Sequence, residues 1–374
     1  MIRGGPRPTA ALREDAITMG LAAVTLVGLY WDGMLHNSSV AKDSFWSAPH
    51  IAIYSGLTLL ACWIGIVLLR RQRSLPSLDL SAIPYGYGVA LVALPLAAAG
   101  GPADYLWHEA YGFENQIDAP YSPTHQMLFL AGAMLGAIGV ASAWRRPGRA
   151  PSLPVLLPAI VSVTVVVGVA LFVFQHLVPF FMGAPATEDF QRDLVSRPDA
   201  YEPGSGATHS EGLYSAVTHY GDDPFPYYFF STLHTVAGVM IVTALLVGAA
   251  LFMLRRWRLP FGTLTIVFTS LALVIPLLSE YEEAELIPAL AVAGLIADLL
   301  LRRLASMRLF APLLAVVLWG AYLLAVELLE GGLGWEPTLW LGVLATAAGV
   351  AYGLALLVFP APVEEPEPSG SRPL

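Results

Sequence analysis

The chain has 374 residues, of which 56% are hydrophobic and only 13% are charged, about half the charged fraction of a typical soluble domain. The formal net charge is −9 and no basic stripe is present, which argues against nucleic acid as a partner. The only cysteine, Cys62, lies inside an apolar block, so an internal disulfide is excluded.

Apolar residues occur in long uninterrupted blocks, which is typical of membrane-spanning helices. The sequence therefore predicts an all-α fold, a polytopic helical bundle of about ten transmembrane helices whose surroundings are the lipid bilayer of the cell membrane. The predicted spans cover residues 14–36, 49–70, 82–108, 122–144, 152–181, 225–254, 261–279, 283–302, 308–330 and 337–359.

Arginines mark alternate loops of this predicted topology. They precede the first span and recur at 70–73, 145–149, 255–258 and 302–308, whereas the opposite loops are acidic. Because Lys and Arg favour the cytoplasmic side of short loops, this pattern predicts a multi-pass protein with both termini in the cytoplasm. A cleavable signal peptide is not expected, since the first apolar block is long enough to cross a bilayer.

Composition divides the chain into four parts. Residues 1–181 hold the first five spans, and 225–359 form a membrane scaffold of the last five. Between them, 182–224 is an outer loop rich in Pro, Gly and Asp, expected to be either a lid or a mobile surface loop. Residues 360–374 have the composition of a disordered cytoplasmic tail. The first four spans are predicted to form two hairpins in the same orientation, a tandem repeat.

Two passages in these hairpins repeat each other. Each has an Asp, a His four residues later, and a second His after a turn that contains an aromatic residue and a serine. The residues are Asp32, His36 and His50 in the first passage and Asp104, His108 and His125 in the second. Residues four apart share one face of a helix, so each Asp/His pair can reach one small object. Imidazole with carboxylate suits copper, iron and zinc, and the pattern therefore predicts a metal site.

The turns before the second histidines add detail to this prediction. Pro49 and Pro123 are expected in the first turn of the descending helices, where a missing N–H costs nothing. Ser47 and Ser122 are expected either to cap those helices or to orient an imidazole. The alternative to a metal site is a hydrogen-bonded network between helices, or a proton relay.

The run from Asp32 to His50 resembles the copper-site segment of the C subunit of particulate methane and ammonia monooxygenases. In that family an Asp, a His four residues on and a second His bind copper in the membrane subunit. Asp104, His108 and His125 are similar to a neighbouring Asn/His/His site of that subunit, with Asp in place of Asn. The likeness covers residues 28–60 and 100–135, and ten spans exceed the number in that subunit. It implies a copper cofactor, a small apolar substrate, dioxygen as co-substrate and additional membrane subunits.

All eight histidines fall in the outer half of the predicted topology. His176 and His234, near the outer ends of the fifth and sixth spans, are predicted to lie in or beside the metal site. His209 and His219 belong to the outer loop and are expected at its surface. Four aromatic residues are expected in the interfacial belt or, alternatively, around an apolar substrate pocket: Trp31, Trp46, Trp107 and Tyr121.

Three functions are compatible with these features. The first is a membrane monooxygenase-like oxidoreductase that depends on copper, or alternatively on iron or zinc. The second is non-enzymatic copper or zinc handling by a transporter or assembly factor, although the inner halves of the spans are too apolar for a complete path. The third is a structural membrane protein in which the repeated residues are only hydrogen-bonded to one another.

Overall fold

The structure is a computed structural model that describes residues 7–37, 45–72, 79–114, 116–182, 225–281, 284–329 and 332–360. These residues contain no β-strand. Their α-helices are α1 (Leu12–Asn37), α2 (Ala48–Leu69), α3 (Ala90–Tyr111), α4 (Pro123–Gly136), α5 (Ile138–Trp144), α6 (Leu153–Val173), α7 (Pro179–Met182), α8 (Phe225–Arg256), α9 (Thr263–Val274), α10 (Ile287–Arg303), α11 (Met307–Leu329) and α12 (Pro337–Val358). All but the first residue of the predicted outer loop, including His209 and His219, and nearly all of the predicted tail lie outside the described residues.

The predicted all-helical membrane bundle is confirmed. Across the described ranges, nine helices are long and apolar enough to cross a bilayer, and they match nine of the ten predicted spans. The tenth, predicted over 261–279, is a shorter apolar helix over Thr263–Ser279. At a rise of 1.5 Å per residue it extends about 25 Å, somewhat less than the roughly 30 Å hydrocarbon core.

The fifth predicted span, 152–181, is not one continuous helix. After α6 ends at Val173, a short 3₁₀ turn at Gln175–Leu177 leads into α7. Pro179 lacks an N–H, and Val178 before it is extended at φ −83° and ψ 114°, so the helix cannot continue. The break turns Gln175 into the bundle, where it is only 1% exposed.

The fourth predicted span is also interrupted, between α4 and α5. The Ser162 hydroxyl donates to the Gly136 carbonyl and accepts from the Val140 N–H, so a side chain of α6 enters the hydrogen-bond ladder of the neighbouring helix. The interruption holds α4 and α5 against α6, most of which is buried at the centre of the bundle.

Helices α1 and α2 pack side by side, as do α3 and α4. Glycines permit the close approach of the first pair. A Cβ added to Gly56 would lie 2.6 Å from the Thr25 hydroxyl oxygen, and one added to Gly28 would lie 3.3 Å from Ile53. The end of α1 is thereby held beside the beginning of α2. The prediction of a tandem repeat of these hairpins stays a prediction.

A buried ion pair fixes the opposite end of α1. Asp15 is fully buried, and its Oδ2 lies 2.6 Å from Nη2 of Arg146 in the loop after α5. The Tyr87 hydroxyl donates to Oδ1 of the same carboxylate at 3.1 Å. The backbone carbonyl of Arg146 accepts from the guanidinium of Arg256 at the end of α8. Four segments of the bundle are therefore tied together at this end.

Asp298, another buried acid, has a capping role. Its carboxylate accepts the backbone N–H groups of Leu264 at 3.2 Å and of Thr265 at 2.9 Å, and the Thr265 hydroxyl at 2.7 Å. These are donors in the first turn of α9 that the helix itself cannot satisfy. Asp298 thus joins α10 to the beginning of α9.

Candidate metal centre

The two predicted Asp/His pairs lie within about the last two turns of α1 and α3, and the two remaining histidines lie in the first turns of α2 and α4. The Ser47 hydroxyl accepts the backbone N–H of His50 at 3.4 Å, and the Ser122 hydroxyl accepts that of His125 at 3.4 Å. A proline occupies the first turn of each of these helices. The predicted capping by the serines and the predicted place of the prolines are therefore confirmed.

Within each passage, one carboxylate lies between two imidazoles. In the first, Asp32 Oδ1 is 3.2 Å from His50 Nε2, and Asp32 Oδ2 is 3.5 Å from His36 Nε2. In the second, Asp104 Oδ1 is 3.1 Å from Nε2 of His125 and 3.6 Å from that of His108. All six side chains are buried, and the most exposed of them, His125, is 7% exposed.

The two passages converge on one place. The ring of His36 lies 5.6 Å from that of His125 and 6.2 Å from that of His108, measured between centroids, and the rings of His50 and His108 are 5.8 Å apart. The ligand atoms of Asp32, His36 and His50 all lie within 4.8 Å of one another. The ligand atoms of His50, Asp104 and His108 do so as well. His50 therefore belongs to two overlapping ligand groups. The six residues form a single cluster rather than two separate sites.

Backbone carbonyls fix the orientation of the four rings. Each Nδ1 faces a carbonyl oxygen, at 2.7 Å from His36 to Glu114, 2.7 Å from His50 to Phe45, 2.6 Å from His125 to Ala119 and 3.3 Å from His108 to Gly112. A carbonyl oxygen can only accept, so Nδ1 carries the proton and donates it. The neutral ring then presents the lone pair of Nε2, which in all four cases points to an Asp carboxylate. Such anchoring of the outer nitrogen is typical of metal-binding histidines.

Acceptor atoms consequently face acceptor atoms at the middle of the cluster. A carboxylate oxygen and an unprotonated Nε2 repel each other at the separations of 3.1 to 3.6 Å found here unless a cation lies with them. Within the described part of the chain, Nε2 of His108 has no hydrogen-bond partner. Protonating His50 and His125 would give each carboxylate one donor and balance the two negative charges, but Nε2 of His36 and of His108 would still face the same carboxylates without a proton. A metal ion satisfies carboxylates and imidazoles together.

No protein-family model, curated protein or solved structure matches this chain. The chemistry of the cluster therefore has to be argued from its own donor atoms and surroundings. The resemblance to the monooxygenase C subunit stays a prediction.

Three polar residues that the sequence did not single out support the cluster. The Tyr54 hydroxyl donates to Asp104 Oδ2 at 2.7 Å, and the Thr124 hydroxyl donates to Asp104 Oδ1 at 2.9 Å. Glu114 Oε2 lies 3.3 Å from Nδ1 of His108, and with His108 and His125 it makes a third possible ligand group. Spacing could have identified Tyr54, which follows His50 by four residues on the same helix face. No periodic signal marks Glu114, which lies in a loop.

The donors around the two carboxylates differ. Asp104 accepts from the hydroxyls of Tyr54 and Thr124, whereas Asp32 lies against the imidazoles of His36 and His50. Because hydroxyl donors occupy part of the lone-pair capacity of Asp104, its oxygens are less available to a metal than those of Asp32. The cluster thus offers two unequal carboxylates.

Aromatic rings cover the cluster on the side of the connecting loops. Phe113 stacks on His108 at 4.5 Å, and Phe45 lies 4.8 Å from His50 and 5.9 Å from His108. These rings limit the access of water, which strengthens electrostatic interactions inside the site.

His176 and His234, the other predicted ligands, contact each other, and their place in or beside the metal site stays a prediction. The ring of His234 donates to the backbone carbonyl of His176, and neither residue belongs to a possible ligand group among the described residues. The neighbouring Gln175 is nearer the cluster, because it lines the cavity below it and accepts from the Asn37 amide at 2.8 Å.

A cavity of about 70 Å³ opens directly beneath the cluster. Asp32, His36 and His125 line its upper end, and mostly apolar residues of α1, α2, α4 and α6 line the remainder. The belt aromatics do not contribute to its walls: Trp46 and Tyr121 are 67% and 51% exposed, in keeping with the interfacial belt.

Proposed function

We propose that the protein is an integral membrane metalloenzyme that binds copper between its two Asp/His/His sets and oxidises a small apolar substrate with dioxygen. The observation that carries this proposal is the arrangement of the four histidines. Each has its Nδ1 held by a carbonyl oxygen, and each directs Nε2 to one of two buried carboxylates. A hydrogen-bonded network alone does not require that all four rings have the same orientation.

The donor set supports a first-row transition metal. Imidazole nitrogens with a minority of carboxylate oxygens suit copper, zinc and iron, and among divalent ions such sites bind Cu²⁺ most tightly. Magnesium and calcium prefer all-oxygen surroundings and fit poorly. Copper is also the metal that the resemblance to the monooxygenase C subunit implies. His36, His50, His108, His125, Asp32 and Asp104 would hold it.

The proposed reaction balances as a hydroxylation. One C–H bond of the substrate breaks, a C–O bond forms, and the second oxygen atom of dioxygen leaves as water. The two electrons and two protons needed come from a bilayer-soluble hydroquinone, which becomes the quinone. Copper, when bound, supplies the activation of dioxygen. The chain itself holds the six ligands in place, excludes water through Phe45 and Phe113, and presents the apolar cavity from below.

Metal transport receives less support from the same residues. A path through the bilayer needs polar groups at successive depths. The buried acids away from the centre are already engaged, Asp15 by Arg146 and Asp298 by the first turn of α9.

Elemental analysis combined with electron paramagnetic resonance tests the proposal. The wild-type protein, purified gently and supplied with copper at micromolar concentration, is expected to retain copper and to show a Cu(II) spectrum with nitrogen hyperfine structure. His36→Ala should lower the copper content and alter that spectrum. His234→Ala, which removes a half-buried histidine outside the cluster, should leave both unchanged. Protein that takes up none of copper, iron or zinc would contradict the proposal. Stably bound iron would replace copper as its metal, whereas stably bound zinc, which has no redox chemistry, would contradict the oxidation.

A further inference from the structure

We infer that the cavity beneath the metal centre is the substrate chamber and that it admits a short, uncharged apolar molecule directly from the bilayer. The inference rests on the proposed function and deepens it by giving the place where the substrate binds, the size limit of that place and the route of entry. Binding in the chamber is independent of the metal, so it can be tested separately.

The chamber is built from matching faces of two helices. On α2 its walls include His50, Ile53, Tyr54 and Leu57, and on α4 they include His125, Leu128, Phe129 and Gly132. Both series follow the spacing i, i+3, i+4 and i+7, which is one continuous helix face. Each face therefore has a histidine at its upper end and, apart from the Tyr54 hydroxyl that points to Asp104, apolar surface below it.

The back of the chamber is closed and dry. Val165, Val169 and Phe172 of α6, together with Leu26 of α1, line it and are all buried. Apart from Thr25, whose hydroxyl donates to the Leu21 carbonyl, the polar groups are gathered near the metal centre, and no Lys or Arg lines the walls. A charged molecule would lose its hydration there without gaining a partner, at a high cost in free energy. An apolar molecule would instead bury its surface, with one end facing the ligands.

The volume of the chamber limits the size of the molecule that it can hold. About 70 Å³ would hold on the order of five waters, which is the room of a molecule with only a few carbon atoms. Along α2, the wall extends over seven residues from His50 to Leu57, or about 10 Å.

The front of the chamber reaches the surface of the bundle. Leu29, Ile53, Leu57 and Leu128 line it and are only partly buried, unlike the residues of the back wall. These residues lie inside helices long enough to span the bilayer, so the opening faces lipid. A substrate dissolved in the bilayer can therefore enter without passing through water.

Gly132 keeps the chamber open. It occupies on α4 the position that Leu57 occupies on α2, and a Cβ added to it would meet no atom within 4 Å. A side chain at this position would start in empty space, and a long one would occupy part of the chamber. Gly65 on α2 provides a matched control, since a Cβ there also meets nothing within 4 Å and the residue does not line the chamber.

Photolabelling with a short alkyl diazirine, a butane derivative, tests the inference. On the full-length protein we expect saturable labelling of the buried α6 residues Val165, Val169 and Phe172, displaced by pentane but not by dodecane. Gly132→Leu should reduce this labelling by about tenfold or more, which corresponds to 1.4 kcal/mol of lost binding, while Gly65→Leu keeps the wild-type level. Leu57→Ala, which enlarges the chamber, should extend displacement to longer alkanes.

Unchanged α6 labelling in Gly132→Leu, or labelling of lipid-facing residues alone, would overturn the inference. The labelling is carried out on protein both with and without copper. If the α6 residues are labelled in a protein that binds no metal, the proposed function is refuted and the chamber inference stands. If a copper-loaded protein is never labelled at these residues, the chamber inference is refuted and the proposed metal centre stands.

Discussion

His50→Ala is expected to remove high-affinity metal binding almost entirely. His50 belongs to two overlapping ligand groups, one with Asp32 and His36 and one with Asp104 and His108. Its loss takes a donor from both and leaves Asp32 with a single histidine neighbour. Since disturbing even the residues behind a ligand typically weakens metal binding ten- to a hundredfold, we expect a loss on the order of a hundredfold or more. Titration with a competing chelator measures it.

Two further variants, His125→Ala and His234→Ala, show whether the metal binds at one shared centre or at two separate sites. If the two passages form one centre, His50→Ala and His125→Ala should each lower the affinity for every bound ion, although they lie on different helices. His234→Ala should have no effect. Two independent sites would instead show that each variant loses one ion and binds the other with unchanged affinity.

Asp15→Ala is expected to destabilise the fold while leaving the metal centre intact. Asp15 is fully buried against the guanidinium of Arg146, and removing the carboxylate leaves that charge without its partner. Breaking such a buried pair typically costs about 3–5 kcal/mol of the free energy of unfolding. Asp15 precedes Asp32 by 17 residues on the same helix, or about 25 Å, so the ligands should keep their positions in the molecules that remain folded.

Unfolding by denaturant in detergent micelles measures this loss, and a double-mutant cycle isolates its cause. Removing both partners, in Asp15→Ala with Arg146→Ala, should cost less than the sum of the two single changes. Additive losses would show that the pair is not coupled. A copper content per folded chain that falls in Asp15→Ala would show that the two ends of α1 are not independent.

Composition and patterning were sufficient to predict the membrane bundle, because a helix that crosses a bilayer must be apolar over its length. They were not sufficient to predict where helices break. Pro158 and Pro312 lie inside continuous helices, whereas Pro179 follows the end of one. A proline is tolerated inside a membrane helix where surrounding groups can satisfy the freed carbonyl, and sequence spacing does not contain that information.

The candidate site was predictable in its parts but not in its assembly. The spacing of Asp32 and His36 places both on one helix face, and the Ser-x-x-His turns predict the caps that orient His50 and His125. That the two passages meet depends on how two helix pairs pack around α6, which no local pattern specifies. Glu114 reaches His36 and His108 from a loop shaped by Gly112, whose φ of +80° ends α3. Only tertiary structure reveals such a contribution.

The most direct test of a single shared centre is anomalous diffraction at the copper absorption edge, from crystals of protein loaded with copper. We predict anomalous density among the Nε2 atoms of His36, His50, His108 and His125, as one ion or as two ions that share these ligands. The account would be contradicted by density confined to the loops or by density at His176 and His234. It would also be contradicted by an ion bound to only one Asp/His/His set, with the other set empty and distant from it.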